Sequence, residues 1–261
     1  MKKFLLFFII IFFIGSIIYV TSTSKPHYTL QETGSIYRSS SKDLWVNSGA
    51  YFYNSGGIGS TVHGELPENS RWRIAYFISN PEDTDNGYHP QNIFRLVTRD
   101  KFDNFEQSAY FRIDDYHLSS SPHRTVSNGL LFFIHYKDGD NLYYAGVRVD
   151  GYAVIKKKIN GTYYTLTTKK IFDGEYDRID NPILLPKEQW IGVKRKTTSY
   201  SDGSVLIKLF VDKDRSSKWV MVLAVKDDGS KGNSTISGEG YAGIRTDFMD
   251  VQFDDFKIKE I

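Results

Sequence analysis

The 261-residue chain carries 33 Lys and Arg against 31 Asp and Glu, a formal net charge of +2, and it contains no cysteine. A balance this even gives no global sign of a nucleic-acid binder, and the lack of cysteine excludes disulfides, cysteine-ligated zinc and a cysteine nucleophile. The 18 Tyr and 18 Phe, together with Val, Ile and Thr, favour β-strands. We therefore expect a β-rich protein, no nucleic-acid partner, and any basic site confined to a local surface.

The chain begins with Met1-Lys2-Lys3, followed at residues 4–20 by the apolar run FLLFFIIIFFIGSIIYV. A basic start before such a run is typical of an export signal, and the positive-inside rule places the rest of the chain outside the cytoplasm. The run is long for a signal-peptide core and at the short limit for a membrane span, and no Ala-x-Ala-like site comes after it. We therefore predict that residues 1–24 are a signal peptide or an uncleaved membrane-anchor helix, and that the protein is extracellular or on the cell surface.

Residues 25–43 are rich in Ser and Thr without a sustained period, which predicts a tether. From Leu44 onward, period-two runs alternate with Gly, Asn, Asp and Pro clusters, and no segment shows a period of 3.6 over three turns. The predicted strands are 50–53, 71–79, 92–98, 105–114, 129–137, 142–149, 152–159, 162–168, 190–198, 204–212, 218–225, 240–245 and 250–259.

This strand pattern without intervening helices predicts an all-β fold, a two-sheet antiparallel sandwich of jelly-roll type, over residues 44–261. The segment SVLIKLFVD, residues 204–212, shows how its faces are assigned. Val205, Ile207, Leu209 and Val211 alternate onto one side and are predicted to lie in the core.

The turn dipeptides Asp150-Gly151 and Asn160-Gly161 divide residues 143–166 into three predicted strands joined by two-residue turns. Turns of that length would pair Tyr143 with Lys158, and Lys158 with Tyr163, on one solvent-facing surface. Alternation sends Lys157 to the opposite face, where it must reach an edge or meet a partner.

Tyrosine rings pack on the C–H faces of sugars, and lysines donate to hydroxyls and carboxylates. The alternative is an ordinary solvated face on which the lysines protect the sheet from aggregation. Lys194 and Lys208, on later strands, would extend the basic strip toward an anionic polysaccharide. The predicted ligand-binding set is Tyr143, Lys156, Lys158, Tyr163, Lys194 and Lys208.

Several stretches together resemble the concanavalin A-like lectin/glucanase superfamily, in its laminin-G-like and 3-keto-disaccharide-hydrolase-like branches. They are YYAGVRVDGYAVIKKKING, YYTL, SVLIKLFVD and GYAGIRTDFMDVQFDDFKI, which span much of residues 100–261, with LWVNSGAYF extending the resemblance back to Leu44. The resemblance implies a jelly roll of two curved sheets, export, and contact with polysaccharide on the concave face.

The resemblance also suggests where catalytic groups would lie. Glucanases of this superfamily carry paired acids on one strand, and the nearest string here is EYDRID, with Glu175 and Asp177. It departs from the pattern in its last acid and sits where a loop is expected. Jelly-roll lyases instead use His and Tyr for β-elimination, which makes His135 a candidate, although the lyase motifs themselves are absent. A histidine at the rim of a sheet and a solvated acidic loop are the alternatives.

Related jelly rolls often bind a structural Ca²⁺ through an Asp in the terminal strand. In VQFDDFKI the apolar phase shifts between Phe253 and Phe256, which predicts a bulge at Asp254-Asp255 and makes Asp254 the candidate ligand.

Two main hypotheses result. The first is an exported or membrane-anchored lectin-like domain that binds polysaccharide, including acidic ones, without catalysis. The second is a polysaccharide lyase or glycoside hydrolase of the same fold. A purely structural adhesion domain is a third alternative, and the missing acid motif favours binding.

Overall fold

The computed structural model describes residues 27–261, with side chains described from Tyr28 onward. The predicted signal peptide or anchor, residues 1–24, lies outside the described residues. Within residues 27–261, no helix is long and apolar enough to cross a bilayer.

The described chain consists of fifteen strands, one α-helix and two 3-10 helices. The strands are β1 (His27–Gln31), β2 (Leu44–Ser48), β3 (Tyr51–Ser55), β4 (Ile58–Ser60), β5 (Arg95–Phe102), β6 (Phe105–Tyr116), β7 (Gly129–Asp138), β8 (Asn141–Arg148), β9 (Tyr152–Ile159), β10 (Thr162–Lys170), β11 (Trp190–Ser199), β12 (Val205–Asp212), β13 (Val220–Asp227), β14 (Gly240–Thr246) and β15 (Met249–Glu260). The α-helix is α1 (Arg71–Ser79), and the 3-10 helices are Ile36–Arg38 and Pro90–Ile93.

The strands form two antiparallel sheets. One has eight strands in the order β1-β3-β4-β15-β6-β11-β12-β13, and the other has seven in the order β10-β9-β8-β7-β14-β5-β2. A continuous apolar core fills the space between them, and it contains Val205, Ile207, Leu209 and Val211 as predicted. The all-β, two-sheet antiparallel sandwich is therefore confirmed.

Residues 71–79 correct the sequence prediction, because they form α1 rather than a strand. Trp72 and Tyr76 lie on one side of this short helix at a spacing of four residues, and Tyr76 is buried with Ala50, Val62 and Leu66. The Tyr76 hydroxyl accepts the Gly49 backbone N–H at 2.7 Å. A nine-residue helix is too short to show a period of 3.6 over three turns, so its period is difficult to read.

Strand β1 lies within the segment that was predicted to be a tether. It pairs antiparallel with β3, with Leu30 opposite Phe52, and Leu30 is buried in the core. Residues 27–31 are thus part of the eight-stranded sheet.

The β8–β9 hairpin differs from its predicted register by one residue. Val147 pairs with Ala153 and Tyr143 pairs with Lys157, whereas a two-residue turn would have paired Tyr143 with Lys158. The turn is longer because the Gly151 N–H donates to the Arg148 carbonyl at 3.0 Å, and Gly151 adopts a positive φ of 78°. Because side chains alternate along a strand, a shift of one residue moves every β8 side chain to the opposite face from the one predicted.

The β9–β10 hairpin has the predicted register. Lys158 pairs with Tyr163 and Lys156 with Thr165 across the Asn160-Gly161 turn. Lys156 and Lys158 therefore lie on the face of the seven-stranded sheet that points away from the core, and Lys157 points into the core.

Candidate functional site

A row of cationic and aromatic side chains crosses the outer face of the seven-stranded sheet. It is built from Tyr163 on β10, Lys156 on β9, Tyr144 on β8, Arg245 on β14 and Arg95 on β5. Antiparallel pairing places Tyr144 opposite Lys156 and Arg245 opposite Arg95. We call the depression around these five residues the basic groove.

Loops from distant parts of the chain wall the basic groove. Two adjoining cavities of about 370 and 380 Å³ share Asp83, Ile93, Arg95, Tyr163 and Arg245 among their lining residues, so they form one continuous depression. His123, Thr125 and Asn128 line one cavity, and Asn47, Tyr136 and Lys158 line the other. The groove crosses the strands from β10 to β5, which at about 4.8 Å per strand spacing is a span of about 24 Å.

Asp247 forms ion pairs with both arginines of the groove. Its carboxylate accepts from Arg245 Nε at 2.8 and 2.9 Å, and Arg95 Nη2 lies 3.7 Å from the same carboxylate. Asp247 is buried, so its charge is held close to both guanidinium groups. This one carboxylate offsets only one of the two arginine charges. The lining of the two cavities contains Arg95, Arg245, Lys156 and Lys158 against Asp83 and Asp247, so basic side chains outnumber acidic ones in the basic groove.

The lysine and the two tyrosines form a compact group. Lys156 Nζ lies 5.4 Å from the ring centroid of Tyr144 and 5.1 Å from that of Tyr163, while Lys158 Nζ lies 5.1 Å from Tyr163. Tyr144 is buried, whereas Tyr163 keeps 49% of its surface exposed. Tyr163 therefore offers an accessible ring beside cations, which can be contacted by a ligand with both apolar and anionic faces.

The surroundings shift the pKa values of Lys156 and Tyr163. Burial, and then the nearby charge of Arg245, lower the pKa of the Lys156 ammonium to about 7. Burial acts to raise the pKa of the Tyr163 phenol, but the positive charges of Arg245 and Lys158, together with hydrogen bonds to Arg245 and Tyr144, outweigh burial and the pKa is lowered. Shifts of this kind cluster at functional sites.

Three of the six predicted ligand-binding residues, Lys156, Lys158 and Tyr163, come together at this groove. Tyr143 does not, because the register shift places it in the core, fully buried. Its hydroxyl donates to Asp227 Oδ2 at 2.7 Å and accepts the Ile236 N–H at 3.0 Å. The prediction that Tyr143 lies on the solvent face is wrong.

The partner required for Lys157 is Asp227. Lys157 Nζ lies 2.9 and 2.8 Å from the two carboxylate oxygens and 2.6 Å from the Ser234 carbonyl, and the lysine side chain is completely buried. Lys157 is therefore part of the core and not of the groove.

Lys194 and Lys208 lie on the other side of the molecule. They belong to β11 and β12 of the eight-stranded sheet, and they point away from the core because Val193 and Leu209 next to them point into it. Lys194 Nζ lies 4.7 Å from the Trp219 ring centroid. The predicted basic strip that joins these lysines to Lys158 does not form, since the whole sandwich separates them.

His135 is buried at the rim of the core, away from the basic groove. Its ring contacts two backbone carbonyls, with Nδ1 2.7 Å from the Ile236 oxygen and Nε2 2.8 Å from the Asp103 oxygen. A bulge after Ile134, with a positive φ of 47° at His135, turns the side chain toward Phe105 and Tyr143. Burial lowers the pKa of His135. Because the ring is buried and both of its nitrogens face backbone carbonyls, the structure favours the rim alternative over catalysis.

Glu175 and Asp177 lie in an exposed loop between β10 and β11. Asp177 Oδ1 accepts the backbone N–H groups of Ile179 at 2.7 Å and Asp180 at 2.8 Å, and these bonds lower the pKa of its carboxyl group. This is a turn stabilised by an aspartate side chain. Neither acid lines the basic groove, so the structure does not pair them with the cations there.

The bulge predicted at Asp254-Asp255 is present, with a positive φ of 51° at Asp255 and a register shift against β6. The Asp254 carboxylate forms an ion pair with the Arg215 guanidinium. A Ca²⁺ ion at Asp254 would have to displace that arginine, so the structure does not favour the predicted site. Separately, Glu82, Asp83 and His123 bring three potential ligand atoms within 4.8 Å of one another, but an imidazole ligand suits a transition metal better than Ca²⁺.

Arg95, Arg245 and Tyr144 are groove residues that the sequence prediction did not place in the site. Arg245 and Asp247 alternate in IRTD and so had to share a face, which is a signal of a local pair. Nothing in the sequence shows that β14 lies between β5 and β7, and it is this order that brings Arg245 to Arg95 and Tyr144.

No protein-family model matches the chain, and no curated protein matches it in sequence. Among solved structures, the chain is similar to the carbohydrate-binding module CBM66 from Bacillus subtilis, with 15% identity, a TM-score of 0.43, and coverage of 64% of this chain and 82% of that one. It is also similar to a Bacillus licheniformis β-glucanase, with 7% identity, a TM-score of 0.43, and coverage of 90% and 97%. The exoplasmic/lumenal domain of VIP36, in its Ca²⁺-bound form, shares 8% identity with a TM-score of 0.40 over 89% of this chain and 90% of that one.

These likenesses concern the fold. The two antiparallel sheets themselves are established by the strand pairing of this chain. The roles of the groove residues depend on the geometry of this chain alone.

Proposed function

We propose that the protein binds a polysaccharide in the basic groove, and that acidic polysaccharides are its preferred ligands. The observation that carries the proposal is the row of Arg95, Arg245 and Lys156 beside the exposed ring of Tyr163. An aromatic ring packs against the C–H face of a sugar, and the cations donate hydrogen bonds to its carboxylate or sulfate groups.

The size of the groove supports a polymer as ligand. A span of about 24 Å across the strands is longer than one sugar ring, and the groove is open along its length. Because two arginines and two lysines line the groove against the two carboxylates of Asp83 and Asp247, an anionic ligand would meet a surface of net positive charge.

The proposal also includes export. The basic N-terminus followed by the apolar run at residues 4–20 supports a location outside the cytoplasm, where polysaccharides are accessible. Membrane anchoring results if that segment is not cleaved.

Binding of the purified protein to an array of neutral, uronate-containing and sulfated polysaccharides tests the proposal. We expect Tyr163→Ala to weaken binding at least about tenfold, which corresponds to about 1.4 kcal/mol. The matched control is Tyr200→Ala, since Tyr200 is 43% exposed with Lys226 Nζ 5.0 Å from its ring centroid but does not line the groove. Absence of binding to every polysaccharide, or equal effects of the two substitutions, would contradict the proposal.

A second candidate is a polysaccharide lyase, and one observation favours it. β-Elimination needs a base, an acid and a cation that neutralises the uronate carboxylate, and Lys156, Tyr163 and Arg245 offer these three groups together. A lysine with a pKa of about 7 suits proton abstraction near neutral pH. Hydrolysis is less favoured, because it needs two carboxyl groups that are free to flank the bond. Of the two carboxylates that line the groove, Asp247 is bound by Arg245, and Asp83 is bound by Ser121 and lies 2.8 Å from His123 Nδ1.

Incubation with polyuronates distinguishes the two candidates. A lyase would generate the ultraviolet absorbance of unsaturated uronate, and Lys156→Met would abolish it while His135→Gln would not. Binding without product on a broad panel would leave the non-catalytic proposal standing alone.

A further inference from the structure

Lys156 differs from Lys157, the buried lysine next to it on β9, in having no carboxylate partner. It is 7% exposed, and among the described residues no hydrogen-bond or ion-pair partner reaches its Nζ. Its Nζ lies beside the rings of Tyr163 and Tyr144, whose centroids are 5.1 and 5.4 Å away. Nζ opens toward the cavity that Lys156 lines. A buried ammonium without a counter-ion is costly, so this position favours a neutral amine until an anion arrives.

The charges around Lys156 also favour the neutral amine over the ammonium. Asp247, the acid whose charge acts on Lys156, is already bound by Arg245 and lies near Arg95, so it is not free to serve the lysine. Arg148, on β8, is paired with Asp150 and adds further positive charge. Titratable and charged groups face Lys156 from the sheet and from the loops across the groove. Those on the sheet are Tyr144 and Arg148 on β8, Lys158 on β9, Tyr163 on β10, Arg95 on β5, and Arg245 on β14 with Asp247 just after it. Those on the loops are Asp83 and His123.

We propose that Lys156 is a proton-linked anion site, which at mildly alkaline pH is neutral in the empty groove and takes up a proton when the anionic group of an acidic sugar enters between Lys156, Arg245 and Tyr163. The inference rests on the proposed function, and it specifies that the groove recognises charge through this lysine. The ligand group is a carboxylate or a sulfate, both of which accept from an ammonium.

Affinity for an anion at this site depends on pH. The pKa of Lys156 is about 7 in the free protein, and an anion beside the ammonium raises it. Above pH 7 the complex therefore holds more protons than the free protein, and affinity falls as the pH rises. Below pH 7 the lysine is already charged, and its contribution to the affinity is independent of pH.

Calorimetric titration at pH 8 in two buffers of different ionisation enthalpy measures this proton uptake directly. The ligands are an oligouronate, a sulfated oligosaccharide and a neutral oligosaccharide of the same length. We expect the uptake of close to one proton with an acidic ligand, none with the neutral one, and a loss of affinity of up to about tenfold per pH unit above pH 7. The two acidic ligands show whether carboxylate or sulfate is preferred.

Lys156→Arg keeps the charge but cannot titrate in this range, so it should bind acidic ligands with no proton uptake. Lys194→Arg is the matched control, because Lys194 also lies over aromatic rings but on the opposite sheet, and it should retain full uptake. His123→Gln and Tyr163→Phe remove the other groove groups that could take up a proton, and uptake should persist in both. The pKa of Lys156 measured by NMR, free and with ligand, gives an independent readout that does not depend on a variant.

The outcomes separate the inference from the function. Binding of acidic ligands with no proton uptake, uptake that persists in Lys156→Arg, or equal binding of the neutral ligand would overturn the inference while glycan binding stands. Failure of all three ligands to bind would overturn both.

Discussion

Lys156 and Lys157 are neighbours in sequence, both are buried, and they lie in opposite environments. Lys157 enters the core between the sheets, where Asp227, the Ser234 carbonyl and the Tyr143 hydroxyl complete a closed polar network. Lys156 enters the basic groove, where it meets two aromatic rings and the positive charge of Arg245.

The difference separates a structural lysine from one available for function. A buried charge with a carboxylate and satisfied hydrogen bonds maintains the fold, and its removal leaves the partner uncompensated. A buried cation without such a partner opposes folding, so it remains in the groove only at the expense of stability. The two lysines should therefore respond to the same substitution with opposite signs.

The largest effect is expected for Lys157→Met. Loss of the ammonium leaves the Asp227 carboxylate buried and unpaired, which should lower the free energy of unfolding by about 3–5 kcal/mol. Urea denaturation of the variant and the parent measures this. A change below about 1 kcal/mol, on the same order as ordinary surface substitutions, would show that the core pair does not differ from an exposed one.

Lys156→Met should act in the opposite direction and raise the free energy of unfolding at about pH 6.5, on the order of 2 kcal/mol. The folded-state pKa of about 7 lies below that of an exposed lysine, so the unfolded chain binds more protons between the two values and the parent gains stability as the pH rises. The advantage of the variant is therefore full below pH 7 and shrinks toward about pH 10. Denaturation near pH 6.5 and near pH 9.5 measures it, and an advantage that does not change with pH would contradict the unpaired state of Lys156.

The double variant Lys157→Met with Asp227→Asn tests whether the stability loss in Lys157→Met comes from the unpaired Asp227 carboxylate. Removing both charges should recover much of the loss, leaving a deficit of about 1–2 kcal/mol, because the Tyr143 hydroxyl can still donate to the new amide oxygen. A double-mutant cycle in urea gives the coupling energy. A double variant as unstable as Lys157→Met alone would point to lost packing instead.

The smallest effect is expected for Lys194→Met. Lys194 also lies against aromatic rings, with Nζ 5.3 Å from the Phe210 centroid and 4.7 Å from that of Trp219, but it is only partly buried on the eight-stranded sheet. The change in unfolding free energy should stay within about 0.5 kcal/mol and should not vary over the same pH range. A larger, pH-dependent effect would mean that aromatic contact, and not burial without a counter-ion, distinguishes Lys156.

Local patterns in the sequence were sufficient to predict most of the strands. Alternation identified β12 and its core face, and the Asn160-Gly161 dipeptide predicted the register that pairs Lys158 with Tyr163. The bulge at Asp254-Asp255 was also visible, as a shift in the apolar phase of β15. These features depend on neighbours in sequence, whose geometry the residue types determine.

The groove could not be predicted in the same way. It depends on the order of β8, β7, β14 and β5. The paired strands β5 and β14 have 137 residues between them, from 103 to 239, and no local pattern encodes such a pairing. The turn after Arg148 differs by one residue from the turn that Asp150-Gly151 predicts, which moves Tyr143 into the core and brings Tyr144 to the groove. The segment of α1 was predicted to be a strand because a helix of nine residues, partly exposed, does not show a clear helical period in its sequence.

The length of the turn from Arg148 to Tyr152 therefore determines which of the two lysines faces the groove and which faces the core. Surface turns usually tolerate insertions and deletions. Here a one-residue change that was transmitted along β9 would send Lys157 to the groove and Lys156 to the core, which would separate Asp227 from its partner and exchange the side chain that faces the ligand. Gly151 adds a second restriction, because a Cβ at this position would lie 2.5 Å from the Phe172 carbonyl oxygen. The length of this turn should thus be among the least variable features of related chains, even though the residues on its exposed side are free to change.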